Sequence, residues 1–306
     1  MLTVFGLESL SPGWSESTVC IGVFDGVHLG HQALIRAAAS DARSHGRPCV
    51  ALTFDRHPMS VLRPNFAPQT VLPLHARIEK IRQCEANVLV IARFDHEFAA
   101  IEADRFIEEI LKSQLKTASV VVGHDFAFGK DRGGDVEFLR TRIPTEVMQP
   151  YEKSGRRVSS TEVRKAIASG HVADAAELLG GDFCLYGVVV RGNRLGREIG
   201  IPTINLALAT PQILPADGIY AGWAETEIGR FEAAISIGQR PTVDGAGFAI
   251  EAHLLEFPNV EIYGHSVALS FAHRIRDEEK FLSVEAMVEQ MQRDVAEIKR
   301  VLRAMK

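Results

Sequence analysis

The chain has 306 residues, 46% of them hydrophobic and 24% charged, with a formal net charge of −5. That length argues for one large or two ordinary domains, and the composition is that of a globular protein. The acidic balance gives no support to a nucleic-acid binder working through a basic surface, although a local basic pocket for a small anion remains compatible with it.

The N-terminus "MLTVFGLESLSPGWSEST" lacks the basic start and apolar core of a secretory signal. No apolar run approaches the ~20 residues that a membrane span needs. Cys20, Cys49, Cys84 and Cys184 form no CxxC pair, so neither a zinc knuckle nor a redox motif is supported. Thiols of a reducing compartment are the plain reading, and the expected location is cytoplasmic.

In chain order, Thr18 to Phe24 reads as a strand and Gln32 to His45 as a helix. "CVALTF" (Cys49 to Phe54) is a second apolar strand. "LHARIEKIRQCEAN" (Leu74 to Asn87) has helical spacing and leads into the strand "VLVIARF". "EADRFIEEILKSQL" is amphipathic, with Phe106, Ile107, Ile110 and Leu111 on one side. "ASVVVG" (Ala118 to Gly123) is another buried strand. Short apolar strands alternating with helices imply a mostly parallel sheet covered on both faces, a Rossmann-like α/β half.

From Phe183 onward the pattern changes to "CLYGVVVRG", "GIYAGWAETE", "RFEAAISIG", "IEAHLLEF" and "HSVALSFAHRIR", split by glycine and proline. This reads as antiparallel β, a small barrel or sandwich. A closing helix carries Val284, Met287, Val288, Met291, Val295 and Ile298 as an apolar stripe, with Ser283 as N-cap. The stripe is expected to pack on the barrel. The boundary falls near "LLGGDF", giving domains 1–181 and 182–306, without internal repeats or low-complexity segments.

The stretch "VCIGVFDGVHLGHQALI" (Val19 to Ile35) puts Gly22, Gly26 and Gly30 on the bend between a strand and a helix. Glycine permits φ > 0 and close approach of a ligand. The helix start offers free N–H groups and partial positive charge, which suits a phosphate. His28 and His31 add ring donors at the same place, able to stabilise charge on a phosphoryl group in transfer. The structural alternative is a turn whose histidines cap the helix. A zinc site is the weaker rival, because no cysteine or carboxylate companion stands nearby.

These residues also carry a resemblance. "GVFDGVHLGHQALI" resembles the HxGH signature of nucleotidylyltransferases, with flanks similar to the prokaryotic bifunctional riboflavin kinase/FMN adenylyltransferase (FAD synthetase) family. "TFDRHPMSVLRP" is similar to the family's TFDPHP segment, with Arg56 in place of proline. "VVGHDFAFGKDRGGD" (Val121 to Asp135) resembles its G-x-D/N-F-x-F-G-x-x-R-x-G loop, with Ala127 where arginine is common. "VSSTEVRKAIASG" resembles its ISSTxIR segment. The resemblance implies an N-terminal FMN adenylyltransferase that binds ATP through Gly22, Phe24, Asp25, Gly26, His28, His31, Asp125, Ser160, Thr161 and Arg164. His28 and His31 are implied to steady the transition state. Serine and threonine hydroxyls and an arginine suit phosphate chemically, although Ser160 and Thr161 also fit a plain helix cap.

In the second half, "GIPTIN" resembles the riboflavin kinase motif GxPTxN. The resemblance implies ATP contacts at Gly192, Arg197, Thr203 and Asn205, with Thr203 and Asn205 as Mg²⁺ ligands. Hydroxyl and amide oxygens are suitable hard donors for that ion. Ser236 stands where many relatives have asparagine. Strand alternation puts Glu251, His253 and Leu255 on one face, against Ile250, Ala252 and Leu254 on the other. A carboxylate on a largely apolar strand needs a reason, either solvent at an edge or chemistry. The resemblance makes Glu251 the base for the riboflavin 5′-hydroxyl, and "RIRDEEKF" implies flavin contacts at Arg276 and Glu278.

The implied function is bifunctional. Riboflavin and ATP give FMN in the C-terminal barrel, and FMN and ATP give FAD and pyrophosphate in the N-terminal half. The implied partners are these small molecules, with neither nucleic acid nor membrane. Two alternatives are a transferase whose β module only binds flavin and a non-enzymatic flavin-binding protein. His28, His31, Thr203, Asn205 and Glu251 together speak for two intact sites.

Overall fold

The computed structural model describes residues 1–192, 201–242, 245–258 and 260–305. They form two compact units, Met1–Ser160 and Thr161–Lys306.

The first unit is built on six parallel strands, β1 (Leu2–Phe5), β2 (Ser17–Ile21), β3 (Cys49–Phe54), β4 (Val88–Ala92), β5 (Thr117–Gly123) and β6 (Thr145–Met148). Their order is β1-β4-β3-β2-β5-β6. The central strands β2 and β4 are buried at every residue, which is why they read as continuous apolar runs rather than alternating ones. The connection from β2 turns toward β3, while β5 lies on the other flank of β2. Strand order therefore reverses at β2, and the carboxyl ends of β2 and β5 are the usual ligand position of such sheets.

Helix α1 (Leu29–Ser44) starts three residues ahead of the expected Gln32, because His28 serves as its cap. Helix α2 (Leu74–Arg82) ends ahead of Asn87. The segment expected as an amphipathic helix buries Phe106, Ile107, Ile110 and Leu111 as anticipated, but winds as a π-helix over Phe106–Gln114. The Leu115 amide continues the wider turn by donating to the Ile110 carbonyl at 2.9 Å. Strands β1 and β6, at the two edges of the sheet, were not anticipated.

The second unit opens with helices α3 (Ser160–Ala168, whose first residue closes the preceding unit) and α4 (Val172–Leu179). A closed barrel follows: β7 (Phe183–Val190), β8 (Ile204–Leu208), β9 (Gly218–Thr226), β10 (Gly229–Thr242), β11 (Gly245–Leu254) and β12 (Ser266–Arg276). The order is β7-β8-β11-β10-β9-β12, antiparallel throughout, and β7 closes on β12 with Phe183 opposite Phe271. Strand β8 begins inside the segment singled out only for its motif and runs on to Leu208. Both helices fall in this unit, and α4 packs on β7 and β12.

Alternation in the barrel holds as expected. Ile250, Ala252 and Leu254 are buried, with Ile235 and Tyr220 filling the interior at the same level. The outer face carries Glu251, opposite Asn205 on one neighbouring strand and Ser236 on the other. Helix α5 (Val284–Ala304) covers part of this face, and the Ser283 hydroxyl caps it by accepting from the Ala286 amide at 3.2 Å. Its stripe does not pack as one core. Ile298 and Leu302 are fully buried against Ala221, Trp223 and Ala272, whereas Val284 is exposed and Met287 and Met291 line a cavity. Only the C-terminal half of α5 seals the barrel.

Candidate active sites

In the first unit the chain leaves β2 through a contorted loop. Phe24, Gly26 and Val27 have φ of 52°, 81° and 42°, and His28 then returns to extended backbone as the cap of α1. The His28 Nδ1 atom accepts from the His31 amide at 3.3 Å. In the neutral ring this places the proton on Nε2, which is left as a donor. The two imidazoles stack with centroids 3.6 Å apart, and Phe24 meets the His31 ring edge-on at 5.4 Å. The structure thus brings His28 and His31 together at a helix start, beyond the carboxyl end of β2.

The glycines do different work from one another. Gly26 alone has a left-handed φ. At Gly22 a side chain would strike the folded-back Phe24 ring at 2.6 Å, and at Gly30 it would meet the His28 ring at 3.2 Å. Gly22 and Gly30 are therefore required by packing and not by φ.

Asp25 is buried, and its carboxylate accepts from the Val71 and Leu72 amides at 3.0 and 3.3 Å. Its carboxylate thereby ties the loop to the approach of α2. The Ser160 hydroxyl donates to the Asp25 carbonyl at 3.0 Å, so this serine also meets the loop. Asp125, after β5, is exposed, with Arg157 at 3.9 Å. It borders an open polar hollow that also includes Phe126, Ala127 and Arg132. Thr161, exposed, and Arg164, half-buried, follow Ser160 on α3, past the division between the units.

The barrel carries the second constellation. One cavity of about 430 Å³ is lined by Gly192, Thr203 and Asn205 with the apolar side chains of Phe257, Ile262 and Tyr263. A second, of about 230 Å³, lies between the outer barrel face and α5, and includes Thr203, Ser236, Glu251, Glu278, Met287 and Met291. Thr203 and His253 line both. Gly192 is pressed against the Asn205 amide, where any Cβ would collide with it. The His253 Nδ1 atom bonds to the Pro202 carbonyl at 2.8 Å, which fixes the turn that presents Thr203. His253 was not singled out as a site residue, although its place two residues after Glu251 on the same strand face was the available signal. Arg197 lies outside the described residues.

Arg276 lines the same cavity as Glu251 and is held from within the protein. Its Nε and Nη2 atoms hold the Asp294 carboxylate at 3.0 and 2.8 Å, and Nη1 donates to the Asp277 carbonyl at 2.8 Å. Asp294 is buried and accepts a further bond from Gln290 at 2.8 Å. The paired Asp294 raises the Arg276 pKa above its ordinary value. All three guanidinium nitrogens are thus engaged within the protein, joining the end of β12 to α5. Glu278 is exposed as a residue, but its carboxylate lies over Gly238 at the cavity rim. Partial burial, and then the like charge of Asp217, raise its pKa against the pull of Arg276.

Comparisons with known proteins divide the chain into two family domains. Residues 11–162 match the family model for FAD synthetase, and residues 179–302 that for riboflavin kinase. A bifunctional riboflavin kinase/FMN adenylyltransferase of Escherichia coli is 34% identical over 304 residues, covering 96% of each chain. Its namesake in Bacillus subtilis is 32% identical over 291 residues, covering 92% of each. A solved structure described as a macrolide-efflux protein from Streptococcus pneumoniae is 33% identical, covers 98% of this chain and 99% of its own, and superposes with a TM-score of 0.90. Among the described residues, no helix of the present chain is long and apolar enough to cross a membrane.

Proposed function

Since the chain belongs to the bifunctional riboflavin kinase/FMN adenylyltransferase family, we propose that its two units run consecutive steps at the two constellations described above. The barrel phosphorylates riboflavin to FMN with ATP. The α/β unit adenylylates FMN to FAD with a second ATP and releases pyrophosphate. The observation that carries this reading is the presence of one complete polar constellation in each unit, at the carboxyl ends of β2 and β5 and on the outer barrel face.

In the kinase step, Glu251 takes the proton of the riboflavin 5′-hydroxyl as that oxygen attacks the γ-phosphorus and ADP departs. The apolar cavity between the barrel and α5 suits the flavin ring, and Glu251 lies on its wall. The neighbouring cavity, with Phe257 and Tyr263, suits the nucleotide, and Thr203 stands where the two meet. The Thr203 hydroxyl and the Asn205 amide oxygen would hold Mg²⁺. They fit it as hard donors, and Gly192 keeps the Asn205 amide in place. When bound, the ion neutralises charge on the phosphate oxygens.

In the transfer step, a phosphate oxygen of FMN attacks the α-phosphorus of ATP. Charge grows on the phosphoryl oxygens and on the leaving pyrophosphate. The His28 Nε2–H, the His31 ring and the positive end of α1 meet that charge in a fixed arrangement. Ser160 holds the loop through the Asp25 carbonyl. No side chain is required to form a covalent intermediate.

Incubating the purified protein with riboflavin, ATP and Mg²⁺, and separating the flavins by chromatography, tests the reading. FMN followed by FAD is expected. FMN alone, FAD from supplied FMN alone, or no product would each overturn part or all of it.

A further inference from the structure

The loop before His28 holds three left-handed residues within four positions, and two of them, Phe24 and Val27, are not glycine. A β-branched residue rarely adopts this region. Such backbone persists only where its surroundings over-determine it. Directly beneath, the seam between β2 and β3 ends at Ile21 and Leu52, while β3 stays paired with β4 as far as Phe54. The Gly22 amide still donates to the Leu52 carbonyl at 3.1 Å, the last sheet-like bond of this pair before the loop. The carbonyls of Val23 and Phe54, just beyond, need partners from elsewhere.

Arg77 supplies them. It projects from α2, and only 5% of it is exposed. Its Nη1 atom donates to the Val23 carbonyl at 2.8 Å, and Nη2 donates to the Phe54 carbonyl. Thr53 adds a second donor to Val23, at 3.1 Å, and Gln32 holds the Val27 carbonyl at 2.9 Å. In return, the Asp25 carboxylate grips the Val71 and Leu72 amides just ahead of α2. Helix and loop hold one another. Burial lowers the Arg77 pKa, and the charges of Asp25 and Asp55 counter the effect, so a buried cation is kept in a place that apolar packing could have filled.

We propose that Arg77 is a positioning residue for adenylyl transfer: it holds the left-handed loop between β2 and α1 in place and thereby fixes His28 and His31. The inference rests on the reading that this transfer takes place at those histidines. A planar, forked donor can satisfy two carbonyls that diverge from adjacent strands, whereas a lysine can serve only one of them well. Displacement of preorganised donors lowers turnover and leaves ground-state binding comparatively untouched.

The test uses the full-length enzyme and its two activities. Arg77→Met, Arg77→Lys, Asp25→Asn, the Asp25→Asn/Arg77→Met pair and His28→Ala are compared with wild type. The expected result for Arg77→Met is a fall of at least about tenfold in kcat for FAD formation at saturating FMN and ATP. Its KM values should change little, and riboflavin phosphorylation by the same molecules should stay within about twofold of wild type. Arg77→Lys should fall between Arg77→Met and wild type, and the double variant should be no worse than the more impaired single one, because both residues act on one loop. A merely structural arginine would lower the unfolding midpoint but leave kcat per folded molecule intact. That outcome, an equal loss of both activities, or additive losses would overturn the proposal. If Arg77→Met does not fold, Arg77→Lys decides by the same split between kcat and KM. Undiminished FAD formation by His28→Ala would instead overturn the site itself, whatever the Arg77 variants do.

Discussion

At His28 one ring nitrogen caps a helix and, on the function proposed above, the other serves as a donor to the transferred phosphate, so its removal has two separable consequences. His28→Ala loses a cap, which costs about 1 kcal/mol of stability. It also loses a donor, which should lower FAD formation from FMN by about 10² while kinase turnover stays near wild type, as flavin chromatography would show. In the barrel, Glu251→Gln keeps shape and hydrogen bonding but cannot accept a proton. Turnover of riboflavin should fall steeply with little change in substrate binding, whereas Asn205→Ala should raise the Mg²⁺ and ATP requirement. Steady-state kinetics across Mg²⁺ concentrations separates the two. If Glu251→Gln mainly raises KM for ATP, another group serves the hydroxyl. That the histidine pair would meet, and that Glu251 would lie beside the GIPTIN asparagine, was legible because each belongs to a short motif on one loop or strand. Arg77 was not, because its partners are carbonyls of residues 23 and 54, and a carbonyl leaves no mark on the sequence.

Among the elements, the buried strands of the sheet and five of the barrel strands were legible from apolar runs and alternation. Strands β1 and β6 were missed because each lies at a sheet edge, with one neighbour and less burial to impose a pattern. β8 was hidden by its own motif. The π winding of Phe106–Gln114 could not be seen, since it buries the same four side chains as an α-helix would. Asp294 was a visible anomaly, a carboxylate on the apolar side of α5 between Met291 and Ile298. Paired with Arg276 and only 7% exposed in its side chain, it ties the cavity wall together. Asp294→Leu should destabilise the barrel by about 1–3 kcal/mol and raise KM for riboflavin, because it leaves the half-buried Arg276 cation without its carboxylate. Arg276→Leu/Asp294→Leu should recover much of the stability. Thermal unfolding and flavin fluorescence titration measure both effects, and a double variant as unstable as the single would refute the clamp.

At the scale of the molecule, the choice of boundary becomes a stability question. A kinase fragment from Asp182 would keep the whole barrel and α5 but lose α4, which buries Val172, Ala175, Leu178 and Leu179. A fragment from Thr161 keeps them. Both should phosphorylate riboflavin, since Thr203, Asn205 and Glu251 are intact, but the longer one should unfold at a higher temperature and resist protease for longer. Equal stability would mean that α4 contributes nothing to the barrel, and a folded, inactive longer fragment would count against the kinase site.

The closure of β7 on β12 also has a consequence in time. Phe183 finds its partner Phe271 only after nearly the whole chain has been made. The α/β sheet, by contrast, has its last strand once Met148 emerges. At ordinary rates of synthesis, on the order of ten seconds separates the two events. During that interval the first unit can fold on the ribosome, while the strands of the second wait with an open seam. The adenylyltransferase is therefore born before the kinase that feeds it, and a ribosome stalled short of residue 266 would leave the first enzyme without the second.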